Sequence, residues 1–233
     1  MELLEMGKTS IHKIKRKPAG QDAQRFNSDK FPFSECLSVL EHSGKRFYGD
    51  HFRIVEEDHE VIFKLLVYFM KDEDNAKQLG ISFRKGILLT GPIGCGKTSL
   101  MNLFRFITAA YNHHTMVSCR KVSFEFIQEG YKVIQRYSDQ SFGHNNMEWQ
   151  PKTFCFDDLG AEDTLKYFGN ECNVMSEILL SRYDLFISQG MLTHLTTNLN
   201  SNEIEELYGN RVRSRVREMM NLVGYENGRD KRH

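Results

Sequence analysis

Apolar positions along the chain change their spacing several times, and each change predicts an element. Between Glu56 and Leu79, Val61, Leu65 and Phe69 share one face with Ile62 and Leu66 beside them, which predicts a helix. Lys85-Gly86-Ile87-Leu88-Leu89-Thr90 is instead a short apolar run bounded by turn residues, the pattern of a strand buried on both faces. A helix is expected from Lys97 to about Tyr111, a strand near Met116–Val122, and a helix from Phe124 to about Tyr137 that offers Phe126, Tyr131, Ile134 and Tyr137 as apolar surface. Residues 138–150 are polar and contain glycine, a connection of above-average length ending at Pro151. Beyond it come a strand at Thr153–Phe156, a helix from about Asn173 to Ile187 carrying Val174, Ile178, Leu179 and Phe186, a strand at Leu192–Thr196, and a last helix from Arg211 to about Leu222. Strands alternating with helices imply an α/β fold, a parallel sheet with helices on both faces. Residues 1–30, broken by Pro18 and Gly20, read as an arm.

Length and composition narrow the class. With 233 residues, 40% hydrophobic and 27% charged, the chain suits one substantial α/β domain with a smaller appendage. The apolar stretch Val61–Met70 contains Lys64 and falls short of the roughly 20 residues that span a bilayer. The N-terminus lacks the basic, apolar, small-residue order of a secretory signal, so a cytoplasmic protein without membrane partners is expected. Five cysteines without a CxxC pair suit reduced thiols rather than zinc or disulfides, and His113-His114 reads as a polar loop. The formal net charge is zero, but basic residues cluster at Lys8, Lys13, Lys15, Arg16 and Lys17 and at Arg211, Arg213, Arg215 and Arg217. Either cluster suits phosphate, although the first reads equally well as a solvated tail.

The chemistry-bearing residues sit where the predicted strands end. Gly91-Pro92-Ile93-Gly94-Cys95-Gly96-Lys97-Thr98 fits G-x-x-x-x-G-K-[ST] and lies between a strand and a helix, as a phosphate-cradling loop requires. The glycines let backbone N–H groups curl around phosphates, Lys97 supplies a charge to the β and γ oxygens, and the Thr98 hydroxyl suits Mg²⁺. These residues and the following Ser99 are the expected ATP-binding set. Phe154-Cys155-Phe156-Asp157-Asp158 is an apolar strand ending in two acids, about 60 residues further on. Asp157 is expected to orient the Mg²⁺ shell and Asp158 to act as general base on water. Leu195-Thr196-Thr197-Asn198 ends the next strand, so Asn198 is expected to reach the γ-phosphate or the attacking water, with a turn-forming Asn as the plain alternative. In the arginine run after Tyr208, the planar guanidinium is the usual device for stabilising charge on a transferring phosphoryl group.

GPIGCGKT, FCFDDLGAE, ILLSRYDLF, HLTTNLN and YGNRVRSRVREM, in this order and spacing, resemble the AAA+ ATPases of the DnaC/DnaI helicase-loader type and their IstB-like transposition relatives. The resemblance implies a P-loop NTPase (AAA+ type) three-layer sandwich over residues 55–233. Before it would stand a small, mostly helical N-terminal region, residues 1–54, that binds the partner. No C-terminal lid domain is implied, because too few residues follow Arg215 to form one. By this resemblance Lys97 and Thr98 match Walker A, Asp157 and Asp158 Walker B, Asn198 sensor 1 and Arg215 the arginine finger, while Arg182 occupies a characteristic family position without an assigned role. The second acid is Asp rather than the Glu of most AAA+ proteins, as is usual in this subgroup, which implies slow hydrolysis. The implied function is an ATP-hydrolysing DNA replication protein that assembles with itself on single-stranded DNA when ATP-bound and helps place a replicative helicase. The alternative is a mobile-element ATPase that activates a transposase, which shares every core motif. A P-loop kinase would carry an Arg-rich lid over the phosphates, and a nucleotide-gated adaptor would use binding with hydrolysis incidental.

Overall fold

The computed structural model describes residues 32–107, 113–145, 148–162, 165–167, 170–225 and 230–231. The first basic cluster and the arm, residues 1–30, lie outside them. The described residues divide into two compact units, one made of residues 32–83 and 99–107, the other of Arg84–Thr98 and the described residues from His113 onward. Among the described residues no helix is long and apolar enough to cross a membrane.

The first unit is helical. Helix α1 (Phe33–Tyr48) buries Cys36, Leu40 and Gly44, one residue per turn on a single face. A 3₁₀ turn, Glu56–Asp58, leads into α2 (His59–Phe69), which buries nearly every side chain from Val61 to Phe69. The helix expected to run to Leu79 breaks after α2. Lys71 adopts a positive φ of 57°, and the Asp72 carboxylate accepts the Asn75 N–H at 3.2 Å, starting a separate helix, α3 (Glu73–Leu79). An Asp poised to cap competes with helix continuation, and here the cap wins. Helix α4 (Lys97–Ile107) contributes Leu100, Met101, Leu103 and Phe104 to burial, with Phe104 stacked on Phe69 at 5.2 Å.

The second unit is built on five parallel strands, β1 (Gly86–Thr90), β2 (Thr115–Ser118), β5 (Phe154–Leu159), β8 (Thr193–Thr197) and β9 (Met220–Gly224). They lie side by side in the order β2-β5-β8-β1-β9. Helices α5 (Cys119–Glu129), α6 (Lys132–Tyr137), α7 (Val174–Gln189) and α8 (Ser201–Met219) flank the sheet. Val122, Phe126, Phe156, Ile178, Leu195 and Val216 belong to its continuous apolar core. Two short antiparallel hairpins, β3 (Phe142–Asn145) with β4 (Glu148–Pro151) and β6 (Leu165–Tyr167) with β7 (Asn170–Cys172), complete it.

Local chemistry explains most departures from the expected elements. The strand near Met116 stops at Ser118 because the chain turns at once into α5, and the single helix expected up to Tyr137 is interrupted at Gly130, with φ 62°. Tyr131 consequently lies exposed, while Phe126 is fully buried. Helix α8 starts well before Arg211 because Asn200 and Glu203 form a capping box, the Asn200 Oδ1 accepting the Glu203 N–H at 3.1 Å and Glu203 accepting the Asn200 N–H at 2.7 Å. Non-helical backbone at Gly209 kinks it just before the arginine run. Met220–Leu222, expected as the end of that helix, belongs instead to the edge strand β9 (Met220–Gly224), paired with β1 from Gly86↔Met220 to Thr90↔Gly224.

Arg182 of α7 is fully buried at the end of the sheet where β5 and β8 begin. Its Nε donates to Thr193 Oγ1 at 2.7 Å, Nη1 to the Tyr137 carbonyl at 2.8 Å and Ser141 Oγ at 3.0 Å, and Nη2 to the carbonyls of Lys152 at 3.0 Å and Leu192 at 2.8 Å. The rings of Phe154 and Phe156 stand 5.3 and 5.7 Å from the guanidinium carbon. Burial pulls its pKa down to about 9, which still leaves a cation at neutral pH with all its donors engaged by neutral oxygens. The ends of α6, the first hairpin, β5 and β8 are thus joined through one side chain.

Candidate nucleotide site

Parallel pairing aligns the strand ends that carry the predicted chemistry. Thr90 of β1 is in register with Thr197 of β8, and Ser118 of β2 with Asp157 of β5. Residues 91–96 leave the end of β1 as a loop and Lys97 opens α4. Gly94 and Gly96 take φ of 82° and 94°, a region that costs other L residues. A Cβ on Gly94 would also stand 2.0 Å from Asp230 Oδ1, and the Lys231 N–H donates to the Gly94 carbonyl at 3.1 Å, so Asp230 and Lys231 lie against the loop. Lys97 is 6% exposed, and its ammonium donates to the carbonyls of Gly91 at 2.8 Å and Pro92 at 2.9 Å. Cys95 is buried within the loop, Ile93 is exposed, and Ser99 follows Thr98 in the first turn of α4. Curled backbone, a helix N-terminus and a cation at its mouth form a cradle suited to a polyphosphate.

The acid pair meets this loop. Thr98 Oγ1 donates to Asp157, 2.9 Å from Oδ1 and 3.1 Å from Oδ2, and Thr196 Oγ1 donates to Asp157 Oδ1 at 2.7 Å. Burial pushes the Asp157 carboxyl above the usual carboxylate range, and the hydroxyls of Thr196 and Thr98 pull it partly back. A hydroxyl and a carboxylate side by side are hard oxygen donors of the kind Mg²⁺ takes, so Thr98 and Asp157 fit that ion. Asp158 differs from its neighbour. It is exposed, adopts a φ of 55°, and donates its N–H to Thr196 Oγ1 at 2.9 Å. The β5–β8 register shifts between Phe156 and Leu159, and this irregularity lets consecutive acids occupy different environments.

Asn198 stands exposed one residue past β8, whose last residue, Thr197, donates to the Leu159 carbonyl at 2.6 Å. Arg215 is half-buried and is not among the residues joined through Asp157; its guanidinium carbon lies 4.8 Å from the ring centre of Tyr183 on α7. Arg213 pairs with Glu205 at 3.2 Å. Thr196, Glu162 and Tyr208 also belong to this region, and the sequence gives no role to any of them. Glu162 accepts the Gly160 N–H at 3.0 Å and a hydrogen bond from the Tyr208 hydroxyl, which ties the turn after the acids to α8. The signals were small: a polar residue at a strand end, and an acid and a tyrosine inside the motifs already quoted. Among the described residues no group of three or more His, Cys, Asp or Glu side chains is arranged to hold a metal.

A β2-β5-β8-β1-β9 parallel sheet, a phosphate loop leaving β1 and an acid pair ending β5 define the P-loop NTPase fold in its AAA+ form. The chain is similar in fold to the DnaC helicase loader, with a TM-score of 0.53 at 15% identity over 78% of this chain and 99% of that one. It is also similar to a putative primosome component from Streptococcus pyogenes serotype M3, with a TM-score of 0.52 at 16% identity over 80% of this chain and 89% of that one. At such identities the likeness is one of fold. No protein-family model matches the chain. A 42-residue stretch, 18% of the chain, is 43% identical to an uncharacterized protein of Acanthamoeba polyphaga mimivirus and covers 13% of that protein.

Proposed function

We propose that the chain binds ATP with Mg²⁺ at the phosphate loop and hydrolyses it to ADP and phosphate. The observation that carries this reading is the contact of Thr98 Oγ1 with Asp157 at 2.9 Å, which joins the start of α4 to the end of β5. Because the Thr98 proton is directed at Asp157, the oxygen's lone pairs are left for the metal. Mg²⁺ would be held by Thr98 with Asp157 beside it, and its charge would offset that developing on the phosphates. The backbone of residues 91–98, continued by Ser99, cradles the phosphates, and Lys97 gives its charge to the β and γ oxygens. Asp158, exposed beside Asp157, accepts the proton of the attacking water, which Asn198 helps to orient. Arg215 of a second copy supplies charge to the transferring phosphoryl group, which makes the ATP-bound form a homo-oligomer.

The wider role that suits this site is that of a helicase-loader-like replication protein acting on single-stranded DNA, with a replicative helicase as partner. The order of its motifs supports this, as does its fold likeness to proteins described as a helicase loader and a primosome component. Residues 1–54 are the region assigned to the partner, and residues 55–233 to the ATPase. Five buried free cysteines favour a reducing compartment, the cytoplasm.

Titration with a fluorescent ATP analogue tests the site. Lys97→Ala should weaken binding roughly 10–100-fold, the worth of a charge-assisted hydrogen bond to phosphate. Wild-type affinity in that variant rejects the assignment.

A further inference from the structure

We infer that Thr196 is a positioning residue for both acids of the site, and that its single hydroxyl sets the geometry on which Mg²⁺-dependent nucleotide binding rests. The inference deepens the nucleotide reading above and depends on it. A threonine hydroxyl has one proton to give and two lone pairs to offer. Here the proton goes to Asp157 Oδ1 at 2.7 Å, and a lone pair receives the Asp158 N–H at 2.9 Å. Thr196 is fully buried, so water does not compete for either bond.

The consequences for the two acids differ. Asp157 is held between two hydroxyls, Thr196 from β8 and Thr98 from α4, which leaves its carboxylate little freedom to rotate. Asp158 sits at φ 55°, a left-handed conformation that is uncommon for a non-glycine residue, less costly for Asp than for most, and held here by its surroundings. The hydrogen bond from its N–H to Thr196 is such a constraint, made where the β5–β8 register shifts. Thr196 is itself placed by β1, being in register with Leu89, one residue before the strand end from which the phosphate loop departs. Through this hydroxyl the register of β1 against β8 becomes the position of the carboxylates relative to the phosphate loop.

A buried threonine that merely satisfies its own hydroxyl would also make these bonds, so the test must separate positioning from stability. The affinity of the full chain for a fluorescent ATP analogue is measured in EDTA and across a Mg²⁺ series, beside urea unfolding, for Thr196→Val and Thr196→Ser. Loss of a group that orients a metal's partners typically costs about 10–100-fold in metal affinity, so Thr196→Val should raise the half-saturating Mg²⁺ by about tenfold or more. Its affinity in EDTA should stay within about twofold of wild type, and Thr196→Ser, which keeps the hydroxyl, should leave both values within about twofold. Thr196→Ala replaces the valine variant if that one does not fold. Unchanged Mg²⁺ dependence in a folded variant without the hydroxyl, with only the unfolding midpoint lowered, overturns the positioning role and leaves the nucleotide reading intact. A wild-type chain without Mg²⁺-dependent nucleotide binding overturns both.

Discussion

The Tyr208 hydroxyl donates to a carboxylate oxygen of Glu162, 46 residues away in the chain. The other oxygen of Glu162 caps the Gly160 N–H, so the bond runs from the turn after the acid pair to the helix that bears Arg215. Tyr208 is buried just before the Gly209 kink, and burial together with Glu162 pushes its phenol pKa upward. The acid turn and the arginine helix are therefore mechanically joined within one chain, on a bond that either element would lose by moving alone.

Tyr208→Phe removes that bond while keeping the ring. The variant should lose about 1.5–3 kcal/mol of stability, the range for a hydrogen bond to a charged group. Urea unfolding measures it, and a midpoint equal to wild type would show that the bond contributes nothing.

Asp158→Asn should retain nucleotide affinity and lose turnover. The amide keeps the size of the side chain and its backbone N–H to Thr196 but is a far weaker base. A general acid–base group contributes typically about 10²–10⁴-fold, so phosphate release should fall by about that factor. Turnover at the wild-type rate assigns the base elsewhere.

Arg215→Ala should bind ATP normally and hydrolyse it hardly at all, since arginine fingers contribute about 10³–10⁵ in rate to related reactions. Lys97→Ala fails for the opposite reason, weakened binding, when ATP is kept below its raised Kd. A mixture of the two inactive variants can form interfaces with an intact loop on one side and an intact Arg215 on the other, and recovered turnover is expected there. An inactive mixture in which light scattering shows co-assembly places Arg215 outside the neighbouring site.

Arg182→Met tests the buried hub that joins β5, β8, α6 and the first hairpin. Five donated hydrogen bonds disappear, leaving buried carbonyls and hydroxyls without that partner. A buried acceptor left without its donor costs about 1–3 kcal/mol, so the variant should lose at least about that much, which denaturant unfolding should register. A loss under about 1 kcal/mol would mean that methionine packing replaces the hub.

Single-stranded DNA binding, if phosphate contacts carry it, should be sequence-tolerant and fall steeply with salt as counterions are released. Fluorescence anisotropy of a labelled oligonucleotide, with ATP present and salt low, reads this directly. An unchanged anisotropy removes nucleic acid from the partners.

Whatever depends on neighbouring residues or on burial pattern is legible along the chain alone. The apolar run before Gly91 specified β1, the glycines and Lys97 specified the loop that follows it, and Phe154–Phe156 specified a buried strand ending in acids. Asp157 and Thr98 stand out in the sequence as oxygen donors at a strand end and a helix start, and their side chains are in contact. Tertiary structure decided what depends on pairing between distant segments. Met220–Gly224 continues a helical rhythm locally, yet becomes a strand because β1 offers it a parallel ladder. The polar hairpins carry no apolar alternation that would betray them. Arg182 reads locally as one more cation on a helix, and only the convergence of carbonyls from distant segments makes it a buried hub. Thr196 became visible in the same way: a hydroxyl's role is set by which groups lie within 3 Å of it, and those groups come from a strand 38 and 39 residues earlier in the chain.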